Sequence, residues 1–390
     1  MAMFKRPYSG RRVGKEPKSK KPDAPKRAEG GPLHRLLYRF TAWWGKRRLA
    51  VRIAIIAGAS VLALGMVAAI AVRAWIRPPE ETPIVVHNPS PSDSLPSGAS
   101  PAPTPSGGDE TEPSPQPEYV QRKGIFTFLL AGVNEGLTDT LMVATLDTEQ
   151  GTCYVLSIPR DTYIPSATRS LKKINGAYIQ RNNVDEPGIA QLKKEVATLI
   201  GFQPQYAAVV NYNGFKRLIT AIGGVDFYVP TRMYVPAEGI DLQKGQQHLN
   251  ADKALQLVRW RVNYDEYGNA TTGYNDQGRM ETQQKLLTAA AKKALANWTK
   301  FPEYISIAQE NLESDIDWGN MLWLAEQVNK IGMDNVEFHT LPTYTARIGK
   351  NDHEFVDAEQ ALELLNETIN PFSIPIGPEI LEHAKSEDVT

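Results

Sequence analysis

The chain has 390 residues, 43 basic and 44 acidic side chains, and a formal net charge of −1. That length fits one large domain or two ordinary ones, and the near-neutral balance argues against a whole-chain nucleic-acid binder. The single cysteine, Cys153, excludes an internal disulfide and a cysteine-based zinc site; inside a predicted strand it reads as a small buried apolar residue.

Charge is unevenly spread. Up to Arg52 the only acids are Glu16, Asp23 and Glu29, so residues 1–50 read as a basic, disordered cytoplasmic arm. Topology and attraction to anionic lipid account for these charges without nucleic acid. Residues 53–72, "IAIIAGASVLALGMVAAIAV", carry no charge, and Trp43, Trp44 and Trp75 flank them. Twenty such residues cross the ~30 Å hydrocarbon core as a helix, and residues 51–76 are predicted as one transmembrane helix. The long basic lead and the length of the run oppose a cleaved signal peptide. The remainder is then extracellular. Residues 77–121, rich in Pro, Ser, Thr and Gly, read as a disordered extended linker reaching on the order of 100 Å.

From residue 122 to 375 strand and helix signals alternate, followed by a tail at 376–390. "IFTFLLAG" and "TLMVATL" read as strands, and "CYVLSI" as a hairpin partner after the turn "DTEQGT". "PGIAQLKKEVATLIG" is an amphipathic helix stopped by Gly201. The strand "YAAVVNY", the helix "NGFKRLITAIGG" and the strand "VDFYV" follow. "NADKALQLVRWR" is a helix capped by Asn250, and "RMETQQKLLTAAAKKALANW" a long one. "WGNMLWLAEQVNKIG", "VEFHTLP" and "DAEQALELLNETI" complete the set. The pattern predicts an α/β fold, a mixed central β-sheet with helices on both faces.

Polar groups gather at the element ends. Asn134, Glu135 and Asp139 surround the first turn, and Arg160 and Asp161 close the third strand. Lys173 opens "KINGAY", Arg259 and Arg261 end a helix, and Asp276, Arg279 and Gln283 lie at the start of another. Arginines, a lysine and a carboxylate brought together suit a diphosphate with a divalent metal, because guanidinium grips phosphate in a bidentate fork and Mg²⁺ takes carboxylate plus phosphate oxygens. Scattered surface ion pairs are the competing reading. There is no GxxxxGK[ST], HExxH or GxSxG, which removes a P-loop enzyme and the commonest zinc and serine hydrolases.

"LLAGVNEGLTDTLMVATLD", "VLSIPRDTYIP", "KINGAY", "VVNYNGFKRLITAIGGVDFYVP", "LQKGQQHLNADKALQLVRWR" and "DQGRMETQQKLL" occur in this order. Together they resemble the LytR-CpsA-Psr family of bacterial envelope proteins, over roughly residues 122–372. The resemblance implies a membrane-anchored phosphotransferase that moves a phosphorylated glycopolymer, of teichoic acid or capsular polysaccharide type, from a polyprenyl-diphosphate carrier to peptidoglycan. It implies that Arg160 grips the diphosphate with Asp161 holding its guanidinium. Lys173, Arg259, Arg261, Arg279 and Gln283 match further phosphate-contacting positions, and Asp276 a position near the arginines. Asp139 matches a ligand for Mg²⁺, with Asn134 where the family commonly has an acid. A polyprenyl-diphosphate hydrolase using the same site, and a catalytically weak binding or regulatory protein for lipid-linked polymer, are the alternatives. Nothing resembles a DNA-reading helix-turn-helix. Residues 215–222 and 286–287 are apolar enough to line a polyprenyl groove or to pack a core. The sequence leaves the polymer, the general base and the oligomeric state open.

Overall fold

The computed structural model describes residues 76–80, 82–88, 118–165, 172–179, 188–265, 267–273 and 276–382, with single positions at 33, 36, 37, 39, 40 and 73. Two units divide the chain, Met1–Val72 and Arg73–Thr390. In the first, the described positions are helical. Nearly all of the basic arm and of the expected span at 51–76 lies outside the described residues. Among those described, no helix is long and apolar enough to cross a membrane.

The second unit runs β1 (Ile125–Asn134), β2 (Leu137–Asp147), β3 (Thr152–Ser157), α1 (Gly188–Ile200), β4 (Tyr206–Asn211), α2 (Tyr212–Ala221) and β5 (Val225–Val229). Then come β6 (Met233–Val235), β7 (Ile240–Leu242), β8 (Gly245–Leu249), α3 (Ala251–Arg259), β9 (Val262–Tyr264), β10 (Ala270–Gly273) and α4 (Asp276–Ala296). It ends with α5 (Phe301–Asn311), β11 (Leu312–Ser314), α6 (Trp318–Ile331), β12 (Val336–Thr340), β13 (Thr343–Ile348), β14 (Asn351–Val356) and α7 (Ala358–Glu367).

Six strands form the central sheet in the order β11-β4-β1-β2-β3-β12. β1 pairs antiparallel with β2 and parallel with β4, and β12 pairs parallel with β3, so the sheet is mixed. Strand alternation sends neighbouring side chains to opposite faces. Leu129 and Val143 meet Leu192 and Val196 of α1 and Leu365 of α7 on one face. Phe126, Phe128 and Ala144 meet Trp323 and Leu324 of α6 on the other. Cys153 is buried there, and burial pushes its thiol pKa up to about 12, so it is an inert packing residue, as expected.

A separate apolar cluster stands beside the sheet. It joins Val225 and Leu249 of the β5–β8 pair, Met233 and Leu242 of the β6–β7 pair, Leu257 of α3, Leu286 of α4, and Trp260. The sequence reading left residues 230–249 without strands. These pieces are three to five residues long and interrupted by Pro, Gly and charge, so they carry too few alternations to show.

Residues 82–88 differ from the extended tether expected for 77–121. Ile84 is 8% exposed and belongs to the main core. Val86 bridges Phe202, His87 N donates to Gly201 O at 2.9 Å, and Gln203 N donates to Val85 O at 2.8 Å. Just before, Arg77 pairs with Asp317 at 3.2 Å and Arg73 with Glu326 at 3.0 Å. The short apolar run "PIVV" inside a proline-rich stretch is enough to bury one side chain and satisfy its backbone on the domain edge.

Candidate active site

β1 and β2 are joined by Glu135 and Gly136 at φ 51° and 82°, a two-residue turn whose left-handed conformation matches strand twist. Three residues past the turn the pairing slips. Val133 faces Thr138 but Gly132 faces Thr140, so Asp139 is the extra residue of a bulge. A bulge bends its strand and re-aims the side chain, and here it presents the Asp139 carboxylate to three donors. Arg160 Nη1 lies 2.5 Å from Oδ1, Arg261 Nη2 lies 3.2 Å from the same oxygen, and the Tyr212 hydroxyl donates to Oδ2 at 2.7 Å.

Each donor is placed by a different element. Arg160 follows β3 through Pro159, and its loop is tied to the β13–β14 hairpin. Glu354 N donates to Asp161 O at 3.0 Å and Tyr163 N donates to Glu354 O at 2.8 Å. Arg261 follows α3, whose end is fixed by Trp260. That residue is extended and 2% exposed, and its indole donates to Asn263 Oδ1 at 2.9 Å. Anchoring Trp260 inward turns the two neighbouring arginines outward. Tyr212 opens α2 directly after β4, with Asn211 capping the helix by accepting from Gly214 N at 2.9 Å. Gly214 is needed there, because a Cβ would meet Asn311 O of α5 at 2.6 Å.

Together these groups wall a cavity of about 450 Å³, lined also by Asn134, Arg259, Arg279 and Gln283. Arg259 lies 5.8 Å from the centre of the Tyr212 ring and pairs with Glu238 at 3.1 Å. Arg279 is buried on α4. Gln283 accepts from the Thr140 hydroxyl at 3.2 Å and donates to Val258 O at 3.0 Å, bridging β2 and α3. A second cavity, about 400 Å³, opens beside the first. Its walls are Leu130, Phe215, Leu218, Leu286 and Leu287 among other apolar side chains. Asp139, Tyr212, Val258 and Gln283 line both cavities. Of the two readings left open for residues 215–222 and 286–287, each has a part: Phe215, Leu218 and Leu287 line this apolar cavity beside the charged one, and Ile219 and Leu286 also pack the core.

Of the residues singled out in the sequence, Asn134, Glu135, Asp139, Arg160, Arg259, Arg261, Arg279 and Gln283 share one cavity. Lys173 and Asp161 stand behind Arg160. Lys173 Nζ is 3.2 Å from Asp161 Oδ1, while Arg160 Nε is 3.7 Å from the same oxygen. The carboxylate that holds the Arg160 guanidinium is thus chiefly Asp139 rather than its neighbour Asp161. Asp276 begins α4, and its side chain lies outside the described residues. Tyr212 and Glu238 were missed. The only signal for Tyr212 was its place at the junction of a strand and a helix.

For a metal, the chamber offers the Asp139 carboxylate, the Asn134 amide and Glu135 at its rim. Among the described residues no group of three His, Cys, Asp or Glu side chains is placed to hold a metal ion. Mg²⁺ takes as few as one or two carboxylates and fills its shell with phosphate oxygens and water; here both Asp139 oxygens are engaged by Arg160, Arg261 and Tyr212.

A model of the LytR_cpsA_psr family matches residues 104–370. The polyisoprenyl-teichoic acid–peptidoglycan teichoic acid transferase TagV of Bacillus subtilis (strain 168) is 30% identical over 212 residues, covering 50% of this chain and 51% of the relative. The transferase TagU of Bacillus anthracis (strain CDC 684 / NRRL 3495) is 29% identical over 212 residues, covering 52% and 65%. The chain thus spans about half to two thirds of the length of these curated relatives. The crystal structure of B. subtilis TagV aligns with a TM-score of 0.51 at 26% identity, over 63% of this chain and 97% of that one. B. subtilis TagT, at 20% identity and a TM-score of 0.52 over 65% and 92%, shares the fold.

Proposed function

This chain belongs to the LytR_cpsA_psr family, and we propose that it transfers a phosphorylated glycopolymer from a polyprenyl-diphosphate carrier to peptidoglycan. One observation carries the reading: an arginine-rich cavity abuts an apolar cavity, and the two share four lining residues. A ligand with a doubly phosphorylated head and a hydrocarbon tail matches that pairing. The names of TagV and TagU, both polyisoprenyl-teichoic acid–peptidoglycan transferases, favour a teichoic acid type of polymer over a capsular polysaccharide.

In this reading the diphosphate enters between Arg160, Arg259, Arg261 and Arg279. Arg160 and Arg261, which meet on Asp139 in the free protein, turn part of their donors to phosphate oxygens. An acceptor hydroxyl of peptidoglycan attacks the phosphorus that carries the polymer. The bond from that phosphorus to the bridging oxygen breaks, polyprenyl phosphate leaves, and the proton of the acceptor hydroxyl passes to water or to the departing phosphate. Phosphoryl transfer asks the protein for positioning and charge stabilisation above all, and the guanidiniums supply both. Gln283 spans the mouth between the two cavities, and Lys173 with Asp161 steadies the Arg160 loop. Asp139 and Asn134 would hold Mg²⁺, which when bound neutralises charge on the diphosphate. Residues 51–76 anchor the chain in the membrane with the domain outside.

The test is product analysis. Full-length protein in detergent is incubated with a polyprenyl-diphosphate saccharide, Mg²⁺ and peptidoglycan oligomers, and products are weighed by mass spectrometry. A phosphodiester-linked glycopolymer on peptidoglycan, with release of polyprenyl phosphate, is the expected result. Release of free phosphorylated saccharide alone would assign the hydrolase instead.

A further inference from the structure

Asp139 is the one residue of the β2 strand left without a partner on β1 by the bulge. The ladder fixes the residues on either side of it but not its carboxylate. Arg160 and Arg261 both approach Oδ1. Those contacts must loosen when the same guanidiniums turn to a diphosphate. The contact that need not loosen is Tyr212 to Oδ2, 2.7 Å long. Tyr212 is well suited to keep it. Its backbone is the first turn of a capped helix. Its ring lines both cavities, with the Arg259 guanidinium lying 5.8 Å from the ring centre.

We propose that Tyr212 is a positioning residue of the diphosphate site. Its hydroxyl pins Asp139 Oδ2 so that Oδ1 alone faces the arginines and the incoming phosphates. Its ring forms the partition at which the diphosphate stops and the hydrocarbon chain begins. This rests on the reading of the paired cavities as a head-and-tail site. The two roles come from different parts of one side chain, so they separate by substitution. Tyr212→Phe keeps the partition and removes the pin. Tyr212→Leu shortens and narrows the partition as well.

The experiment measures binding of farnesyl diphosphate and of inorganic diphosphate to the full-length protein in detergent by calorimetry, with melting temperature as the folding control. Wild type should prefer farnesyl diphosphate. Wild type binding both probes equally would sink the head-and-tail reading itself, independently of Tyr212. Given that preference, Tyr212→Phe should bind both probes severalfold more weakly, because an unpinned Asp139 competes for Arg160 and Arg261 with both of its oxygens, with the preference ratio unchanged. Tyr212→Leu should lose affinity and also compress the ratio severalfold. A Phe variant that binds diphosphate like wild type overturns the pin. A Leu variant with an undiminished ratio overturns the partition. For Tyr212→Phe, weaker binding measured well below its melting temperature, where the variant is fully folded, assigns the pin, whereas binding that weakens only as the variant melts assigns a merely structural role and overturns it.

Discussion

The two halves of the cavity are held by cores of different build. The sheet half carries Asp139 and Arg160. It rests on six hydrogen-bonded strands with packed helices on both faces, where Leu129, Val143, Leu156 and Leu192 are fully buried. The other half carries Arg259 and Arg261. It rests on two-stranded pieces, most of them three to five residues long, gathered around α3 and Trp260. Short ladders and few layers open at lower free energy than a central sheet. Asp139 and Arg160 thus sit on the rigid side, and Arg259 and Arg261 on the looser one. In the proposed reaction that division leaves the anchor and one arginine fixed while Arg261 exchanges its carboxylate for phosphate.

The strongest way to break this contrast is to empty each core in turn. Trp260→Ala should lower unfolding free energy by roughly 3–5 kcal/mol and Leu192→Ala by roughly 2–5 kcal/mol, the range for large-to-small core changes. The losses are similar, but their consequences for the site differ. Trp260 lies between two cavity arginines, so its loss should weaken diphosphate binding per folded molecule, whereas Leu192→Ala should leave that affinity intact. Denaturant melts paired with calorimetry separate the two effects. Equal binding losses in both variants would erase the distinction.

Next in size is the comparison of one arginine from each half. The Arg160 side chain is 17% exposed and that of Arg261 51%. Arg160→Ala should cost roughly 1.5–3 kcal/mol in diphosphate binding, as for a charge-assisted hydrogen bond. Arg261→Ala, screened by water, should cost at most about 1 kcal/mol. Titration at low and high salt checks this, with the Arg261 contribution expected to fade first.

The smallest effect concerns the hairpin beneath the Arg160 loop. His353 is buried there, its ring 5.8 Å from that of Tyr163. Burial depresses its pKa, with Lys173 adding to the depression and Asp161, Asp352 and the Asn351 carbonyl opposing it. A depressed folded pKa means that the unfolded chain takes up the proton first. The stabilising contribution is therefore complete above the ordinary histidine pKa and is lost as pH falls below it toward the depressed value. Melting temperature should drop between about pH 7 and pH 5, and His353→Gln should flatten that part of the curve. An unchanged slope in the variant would remove His353 from the account.

Much of this was legible in the chain. The central strands are long and apolar, so β1 to β4 were readable from residues 125–211, and α1, α4 and α6 announced themselves by length and periodicity. The polar groups picked out along the chain include eight residues that line the cavity. Other features stayed hidden, α5 and the central-sheet strand β11 among them. The β13–β14 hairpin, "TYTARIGKNDHEFV", is polar enough to pass for a loop, and it packs through stacking of Tyr163 on Phe355 at 4.9 Å, a contact between distant residues. The pieces of 230–249 are too short to show a period. Residues 82–88 bury their apolar run only because an edge is waiting for it. The exchange of Asp161 for Asp139 as the partner of Arg160 depends on where a strand slips by one residue, which spacing in the chain does not encode.

That slip has a consequence for chain length. Removing a residue from the middle of a paired strand normally shifts every later side chain to the opposite face. Around Asp139 the reverse holds. With that residue deleted, Thr138 opposite Val133 and Thr140 opposite Gly132 become consecutive regular pairs, and the flanking alternation is preserved. The sheet is indifferent to whether β2 has ten residues or eleven, and the cavity is not. A shortened β2 would keep its place between β1 and β3 and lose the anchor on which Arg160 and Arg261 meet.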